Sequence, residues 1–314
     1  MTKRILIIKL GALGDVIRTT PLLRALDGDV TWVTSSLALP LLRNSPAIAT
    51  LVAKDELRVR PAGKYDLVVN LEDDIESAKL ASAAVEGDGT IVGPYMNATC
   101  VTYDASSSEW FDMSLSSRHG RELADALKMR NRKTYQEMIF AALGLIFRGE
   151  DPVLNLPLRK TLVRGLVGIE ERAGGVWPNK QWNRYRELAD RLEALGYRTR
   201  SFEQRESVID YVDDINECEF VICGDTLAMH IALALRRQTI ALFTCTSPHE
   251  IHGYGRLRKI VSPLLDRYFY KREYSPEAAN AITLAEVESC FRMIADRPTG
   301  VRQTQGRHND ERKI

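Results

Sequence analysis

The most informative stretch of this sequence is VICGDTLAMH, residues 221–230. Its apolar start predicts a short buried strand that ends at Gly224 and Asp225, with a helix beginning immediately afterwards. Thr226 is a natural N-cap for that helix, because its hydroxyl can accept a hydrogen bond from a free amide of the first turn. His230 follows four residues later and is expected on the same side of the helix. An acid, a hydroxyl, free amides and an imidazole are therefore predicted at the carboxyl end of a strand, where open α/β sheets bind ligands.

This arrangement has two interpretations. The start of a helix presents unpaired amides and the positive end of the helix dipole, which suits a phosphorylated or nucleotide-bearing ligand. Alternatively, Asp225 and Thr226 only cap the helix, and His230 is a satisfied polar residue beneath a loop. The segment alone leaves both interpretations open.

A similar strand–turn–helix pattern opens the sequence. The apolar run of residues 4–10 predicts a central parallel strand, and a turn containing Gly11 and Gly14 leads into a helix from about Asp15. The glycines allow a tight turn and the close approach of a ligand. Asp15 either caps this helix or accepts a proton from a hydroxyl bound in a cleft. The glycine spacing is neither that of the dinucleotide fingerprint nor that of a Walker loop.

Strands alternate with helices twice along the chain, which predicts an α/β protein with two Rossmann-like domains facing each other across a cleft. At 314 residues the chain is also long for a single core. The proline-containing segment 151–157 is the predicted linker, so we expect domains at residues 1–155 and 156–296. Residues 297–314 are polar enough to be a disordered tail.

Two loops and an acidic run add candidate ligand-binding groups. Lys180 lies in AGGVWPNKQW, residues 173–182, and is either a mobile charge for phosphate or a solvated side chain. Thr246 and Ser247 follow a predicted strand beside the Asp225 loop, where hydroxyls and amides could line the same pocket. The run EDDIE, residues 72–76, is best explained as the start of a helix, with a metal site as the less favoured alternative.

Composition excludes several classes of protein. The formal net charge is +1, so there is no general electrostatic case for binding nucleic acid. The five cysteines are scattered and odd in number, which favours free thiols in the cytoplasm. No run of about 20 apolar residues predicts a membrane span, whereas peripheral attachment to the cytoplasmic face of a membrane stays open.

Taken together, these segments resemble glycosyltransferase family nine, the lipopolysaccharide heptosyltransferases and their relatives. The resemblance is carried, in the order found in that family, by four segments: ILIIKLGALGDV at 5–16, WPNKQW at 177–182, GDTLAMH at 224–230, and TSP at 246–248 with Tyr254-Gly255 beyond it. Each segment is weak alone, and the combination covers most of residues 1–270.

The resemblance implies a GT-B enzyme of two Rossmann-like domains, the first holding the acceptor and the second the nucleotide-sugar donor. Such enzymes typically need no metal or other cofactor. Asp15 would then be the general base that deprotonates the acceptor hydroxyl. Lys180 and the amides at Thr226 would stabilise the departing diphosphate, and Asp225 and His230 would orient the donor. The implied reaction is inverting transfer of a heptose or related sugar, from ADP-heptose or a similar donor, to a lipopolysaccharide-type or other glycan or glycolipid.

The sequence departs from the family pattern at three places. Leu227 replaces the glycine that follows the aspartate and threonine, Thr244-Cys245 replaces a glycine-proline pair, and Arg236-Arg237-Gln238 replaces a more neutral turn. A nucleotide-sugar-binding protein with a drifted donor site, or a nucleotide-sugar epimerase on the same fold, therefore stays open as an alternative. The segment 95–113, where acceptor specificity is expected, contains no recognisable motif.

Overall fold

The computed structural model describes residues 2–56 and 64–296. The predicted disordered tail, residues 297–314, lies outside the described residues. Two parallel five-stranded sheets and the helices that cover them make up most of the described chain. None of the helices in this part of the chain is long and apolar enough to cross a membrane.

The first sheet has the strand order β3-β2-β1-β4-β5. Its strands are β1 (Arg4–Ile8), β2 (Asp29–Thr34), β3 (Thr50–Ala53), β4 (Tyr65–Asn70) and β5 (Val85–Val92), all parallel. Residues Ile5 to Ile8 are at most 1% exposed, as expected for a central strand covered on both faces.

The helices of the first half are mostly short. They are α1 (Leu13–Thr19), which continues into a 3₁₀ turn, α2 (Leu39–Leu42), α3 (Ile75–Ala84), α4 (Ser108–Phe111), α5 (Arg121–Arg130) and α6 (Tyr135–Ala142). A small antiparallel hairpin, β6 (Pro94–Asn97) with β7 (Cys100–Tyr103), lies between α3 and α4.

The second sheet has the order β12-β11-β10-β8-β9 and is again wholly parallel. Its strands are β8 (Val163–Glu170), β9 (Arg198–Ser201), β10 (Cys218–Gly224), β11 (Gln238–Phe243) and β12 (Leu257–Val261). Its helices are α7 (Tyr185–Ala194), α8 (Val208–Glu217), α9 (Leu227–Ala234), α10 (Leu265–Tyr268), α11 (Pro276–Asn280) and α12 (Leu284–Ala295). Residues 145–162, between the two sheets, contain neither helix nor strand.

The two halves meet where α1 packs against α9. Ile17 on α1 joins a buried apolar cluster whose other members include Met229 and Leu233 on α9. A Cβ atom built on Gly14 would lie 2.6 Å from Cδ2 of His230, so the two helices approach as closely as a glycine allows. Each of these helices follows the central strand of its own sheet, and the carboxyl ends of both sheets therefore open onto one cleft.

Several predictions about local structure need correction. The apolar residues of 119–144 have the spacing of amphipathic helices, which predicts Leu123 on a buried face. In the structure its side chain is 46% exposed, because α5 contributes only Ala124 to the buried interior. The hairpin β6–β7, strand β12 and helices α10 and α11 were not predicted. Strand β12 lies at the edge of its sheet and contains Arg258 and Lys259, and charged side chains commonly protect exposed edges.

Candidate active site

A cavity of about 1150 Å³ lies between the two halves, at the carboxyl ends of both sheets. Most of the predicted site residues line this cavity: Gly14, Asp15, Lys180, Asp225, Thr226, His230, Thr246 and Ser247. Gly11 does not line it, and the Gly11 amide donates instead to the carboxylate of Glu72 at 3.3 Å. The volume is sufficient for a ligand larger than a typical small molecule.

Asp15 lies in the first turn of α1, and its side chain is 35% exposed to the cavity. Its carboxylate forms an ion pair with Nε of Arg18, one turn along the same helix, at 2.9 Å. Burial alone would raise the pKa of this carboxyl, but Arg18 and Lys9 outweigh burial and hold the pKa below its usual range. Asp15 is therefore an ionised and accessible proton acceptor at neutral pH.

Arg18 is itself fixed by aromatic rings. Its guanidinium lies 4.3 Å from the ring centre of Tyr135 and 5.5 Å from that of Trp110. Such stacking suits the flat guanidinium and leaves little freedom to the side chain. The ion pair therefore orients the Asp15 carboxylate.

Across the cavity, Asp225 and Lys180 form a second ion pair. Nζ of Lys180 donates to the Asp225 carboxylate at 2.8 Å and to the Asp225 backbone carbonyl at 2.7 Å, and the Thr246 hydroxyl donates to the same carboxylate at 2.8 Å. Burial alone would raise the pKa of Asp225, but Lys180 and these hydrogen bonds lower it to about 2. Lys180 is thus a positioned charge, with one of its three N–H groups left for a ligand.

The backbone around Lys180 is held by Asn179, whose role the sequence did not indicate. Asn179 is fully buried, and its side-chain amide donates to the Glu273 carbonyl at 2.7 Å and accepts from the Ser275 amide at 2.8 Å. A Cβ built on Gly224 would lie 3.0 Å from the Lys180 carbonyl oxygen. The Lys180 loop therefore sits directly on the end of β10.

The prediction that the Thr226 hydroxyl caps α9 is wrong. Thr226 occupies the N-cap position with an extended backbone, but its side chain accepts no hydrogen bond from the helix, and Oγ1 is buried without a partner among the described residues. The amides of Leu227 and Ala228 accordingly form no backbone or side-chain hydrogen bond in the described chain. These free donors, at the positive end of α9, point to an anion-binding position.

His230 lies on α9 with its ring against Gly14 and is 9% exposed. Burial, with the nearby charge of Arg18, lowers the pKa of His230 to about 4. The imidazole is therefore neutral at pH 7.

Glu250, Lys128 and Tyr270 are among the cavity residues that the sequence analysis missed. Glu250 is 5% exposed, and burial raises the pKa of its carboxyl despite the opposing charges of Lys128 and Arg18. Lys128 packs over the Tyr270 ring, 4.6 Å from its centre, and is the only cation of the described cavity wall without an ion pair. No motif marks these positions, because they come from a loop and from the polar side of α5.

The acidic run after β4 has structural roles. Asp74 caps α3 by accepting from the Ser77 amide at 3.0 Å, as the favoured interpretation predicted. Glu72 pairs with the buried Lys9 at 3.0 Å. In residues 2–56 and 64–296 no group of three or more His, Cys, Asp or Glu is arranged to hold a metal ion.

Two Rossmann-like sheets that face one cleft with their carboxyl ends define the GT-B class of glycosyltransferases. Within that class, residues 207–274 match the model of Glycosyltransferase family 9 (heptosyltransferase). The resemblance to glycosyltransferase family nine is confirmed for this part of the chain. No curated protein matches the sequence significantly.

Solved structures agree on the fold over nearly the whole chain. A family 9 glycosyltransferase from Veillonella parvula is 18% identical, with a TM-score of 0.63, over 93% of this chain and 97% of the other. The E. coli heptosyltransferase WaaC with ADP-2-deoxy-2-fluoro heptose is 17% identical, with a TM-score of 0.57, over 93% and 99%. E. coli ADP-heptose lps heptosyltransferase II is 17% identical, with a TM-score of 0.58, over 93% and 98%. At these identities the likeness establishes the GT-B fold.

Proposed function

We propose that this protein is an inverting glycosyltransferase that moves a heptose or related sugar from a nucleotide-sugar donor to a hydroxyl of a glycan or glycolipid. The observation that carries the proposal is an ionised, accessible Asp15 facing the uncapped start of α9 across one cavity. A base on one side and anion-binding groups on the other are what displacement of a diphosphate requires.

In the proposed reaction, Asp15 accepts the proton of the acceptor hydroxyl as its oxygen attacks the anomeric carbon of the donor. The bond from that carbon to the diphosphate oxygen breaks, the diphosphate leaves with the electron pair, and the configuration at the carbon inverts. The free amides of Leu227 and Ala228 and the remaining N–H of Lys180 receive the negative charge. Asp225 holds Lys180 in place through their ion pair. The neutral His230 lies between the Asp15 side and the Asp225 side of the cavity.

The proposed donor is ADP-heptose or a close relative. It is supported by the ligand of the WaaC structure, ADP-2-deoxy-2-fluoro heptose, and by the family match around Asp225 and Thr246. The proposed acceptor is a lipopolysaccharide-type or other glycan, and the first half of the chain would hold it. We place the enzyme in the cytoplasm, at the membrane face when the acceptor is a glycolipid.

A thermal-shift panel of nucleotide sugars and nucleoside diphosphates tests the donor site. ADP-heptose and ADP are expected to stabilise the wild-type protein without added metal. Neither should stabilise the Lys180→Ala or Asp225→Ala variant to the same extent. An absence of response to every nucleotide in the wild type would overturn the proposal, since a transferase of this kind must bind its donor.

A further inference from the structure

Glu250 lines the main cavity but has no role in the mechanism above. It lies in the loop after β11, three residues beyond Ser247, and its backbone carbonyl accepts from the Tyr135 amide at 3.0 Å. That hydrogen bond joins the loop to α6 of the first half. The Glu250 side chain is thus held at the junction of the two halves.

The carboxyl of Glu250 is nearly buried and poorly satisfied. The Tyr270 hydroxyl donates to one of its oxygens at 3.4 Å, a long hydrogen bond, and the other oxygen accepts none from the described residues. Lys128 and Arg18 face it, yet neither forms an ion pair with it within 4.0 Å. The oxygen without a donor is not fully buried, so a ligand in the cavity can donate a hydrogen bond to it.

Its neighbours indicate which part of a ligand would meet it. Asp225, at the proposed diphosphate position, and Arg18, which holds the proposed base Asp15, both line this cavity and are close enough to influence the Glu250 carboxyl electrostatically. A diphosphate would be repelled by a carboxylate, and a sugar hydroxyl would donate to it or, if it is protonated, accept from it. During transfer the sugar lies between the proposed base and the proposed diphosphate position, and Glu250 has charged neighbours from both.

We propose that Glu250 is a specificity-determining residue that hydrogen-bonds a hydroxyl of the transferred sugar. This inference rests on the proposed function, because it needs a nucleotide-sugar donor in the cavity. Glu250 then selects among sugars with the same nucleotide, and it adds little to the affinity for the nucleotide alone.

Calorimetric titration with ADP and with ADP-heptose separates these contributions. Glu250→Leu is expected to weaken ADP-heptose binding about tenfold or more while ADP binding changes less than about twofold. Glu250→Gln, which keeps hydrogen-bonding capacity and shape, should lose less than Glu250→Leu. Glu122→Leu, an exposed substitution on α5 outside the cavity, should leave both affinities unchanged.

Other results would contradict either the role of Glu250 alone or the proposed donor as well. Equal weakening of ADP and ADP-heptose, or no effect on either, would overturn the role of Glu250 and leave the proposed function standing. If Glu250→Leu does not fold, the same comparison applies to Glu250→Gln, with a selective loss of ADP-heptose affinity of a few-fold expected. A wild-type protein that binds neither ligand would overturn the proposed donor and this inference together.

Discussion

Two aspartates follow the central strands of the two sheets, and they are held in different ways. Asp15 has one ionic partner, Arg18, and its side chain is 35% exposed. Asp225 accepts hydrogen bonds from Lys180 and Thr246 and is 14% exposed, with a pKa of about 2. The same residue type is therefore a reachable carboxylate in one half and a fixed counter-charge in the other. Partners and exposure, rather than position in the fold, therefore decide what a carboxylate can do.

The largest effect that would test this difference is expected at Asp15. Asp15→Asn removes the base while keeping the side-chain shape, so transfer should slow about 10³-fold with donor affinity unchanged. Single-turnover transfer rates and donor titrations measure the two quantities. Asp27→Asn, an exposed change before β2, is the matched control. An unchanged transfer rate in Asp15→Asn would show that Asp15 is not the general base.

The next largest effect is expected in the pH dependence of stability. It comes from His230, which lies between the two aspartates. Its pKa is lowered from 6.5 to about 4, so the unfolded chain takes up the proton first as the pH falls. The free energy of unfolding should therefore drop by about 3 kcal/mol between pH 6.5 and pH 4. In denaturant unfolding across this pH range, the free energy of unfolding of the His230→Asn variant should drop less than that of the wild type. A part of the slope persists, since His249 and His252 also have lowered pKa values. An identical slope in the variant would show that His230 is not held neutral.

The Asp225 carboxyl should affect the free energy of unfolding at a lower pH than His230 does, and by a smaller amount. Its lowered pKa stabilises the fold above pH 3.8, and this contribution of about 2 kcal/mol disappears as the pH falls to about 2. Asp225→Asn should lose a similar amount at pH 7 and flatten the profile between pH 4 and pH 2. Urea unfolding measures both, with the exposed Asp190→Asn on α7 as control. A variant as stable as the wild type at pH 7 would contradict the role of Asp225 as a fixed counter-charge.

The smallest expected effect concerns the contact between the halves. Gly14→Ala adds a methyl group 2.6 Å from the His230 ring, which must shift, although alanine favours the helix. We expect a net loss of about 1 kcal/mol in the free energy of unfolding. Gly174→Ala, where an added Cβ meets nothing within 4 Å, should be neutral. Equal stability of the two variants in thermal unfolding would mean that the helices adjust freely.

The sequence predicted the parts of the fold and site that depend on contiguous residues. The strand of residues 221–224, the helix after it and the convergence of Asp225, Thr226 and His230 follow from periodicity and from the edge of a parallel sheet. The same holds for the turn before Asp15. In each case the pattern and the physical cause lie within about ten residues.

The parts that were not predicted depend on contacts between distant segments. The partner of Lys180 is Asp225, 45 residues away, so a charge expected to be mobile is held in place. Glu250 lines the cavity from a loop that is hydrogen-bonded to α6, more than 100 residues earlier in the chain. The Thr226 hydroxyl was expected to cap α9 on local grounds, yet it is buried away from the amides of that helix. Tertiary contacts of this kind leave no periodic signal in the sequence.

Within the described residues, the chain passes from one sheet to the other only once, in the segment 145–162. Each half is thus a continuous stretch of gene, and one crossover in that segment would exchange an entire first half between related proteins. The incoming half would have to bring a glycine at the position of Gly14, to make room for the resident His230. The residue at this one position would then decide whether halves exchanged between members of such a family can pack together.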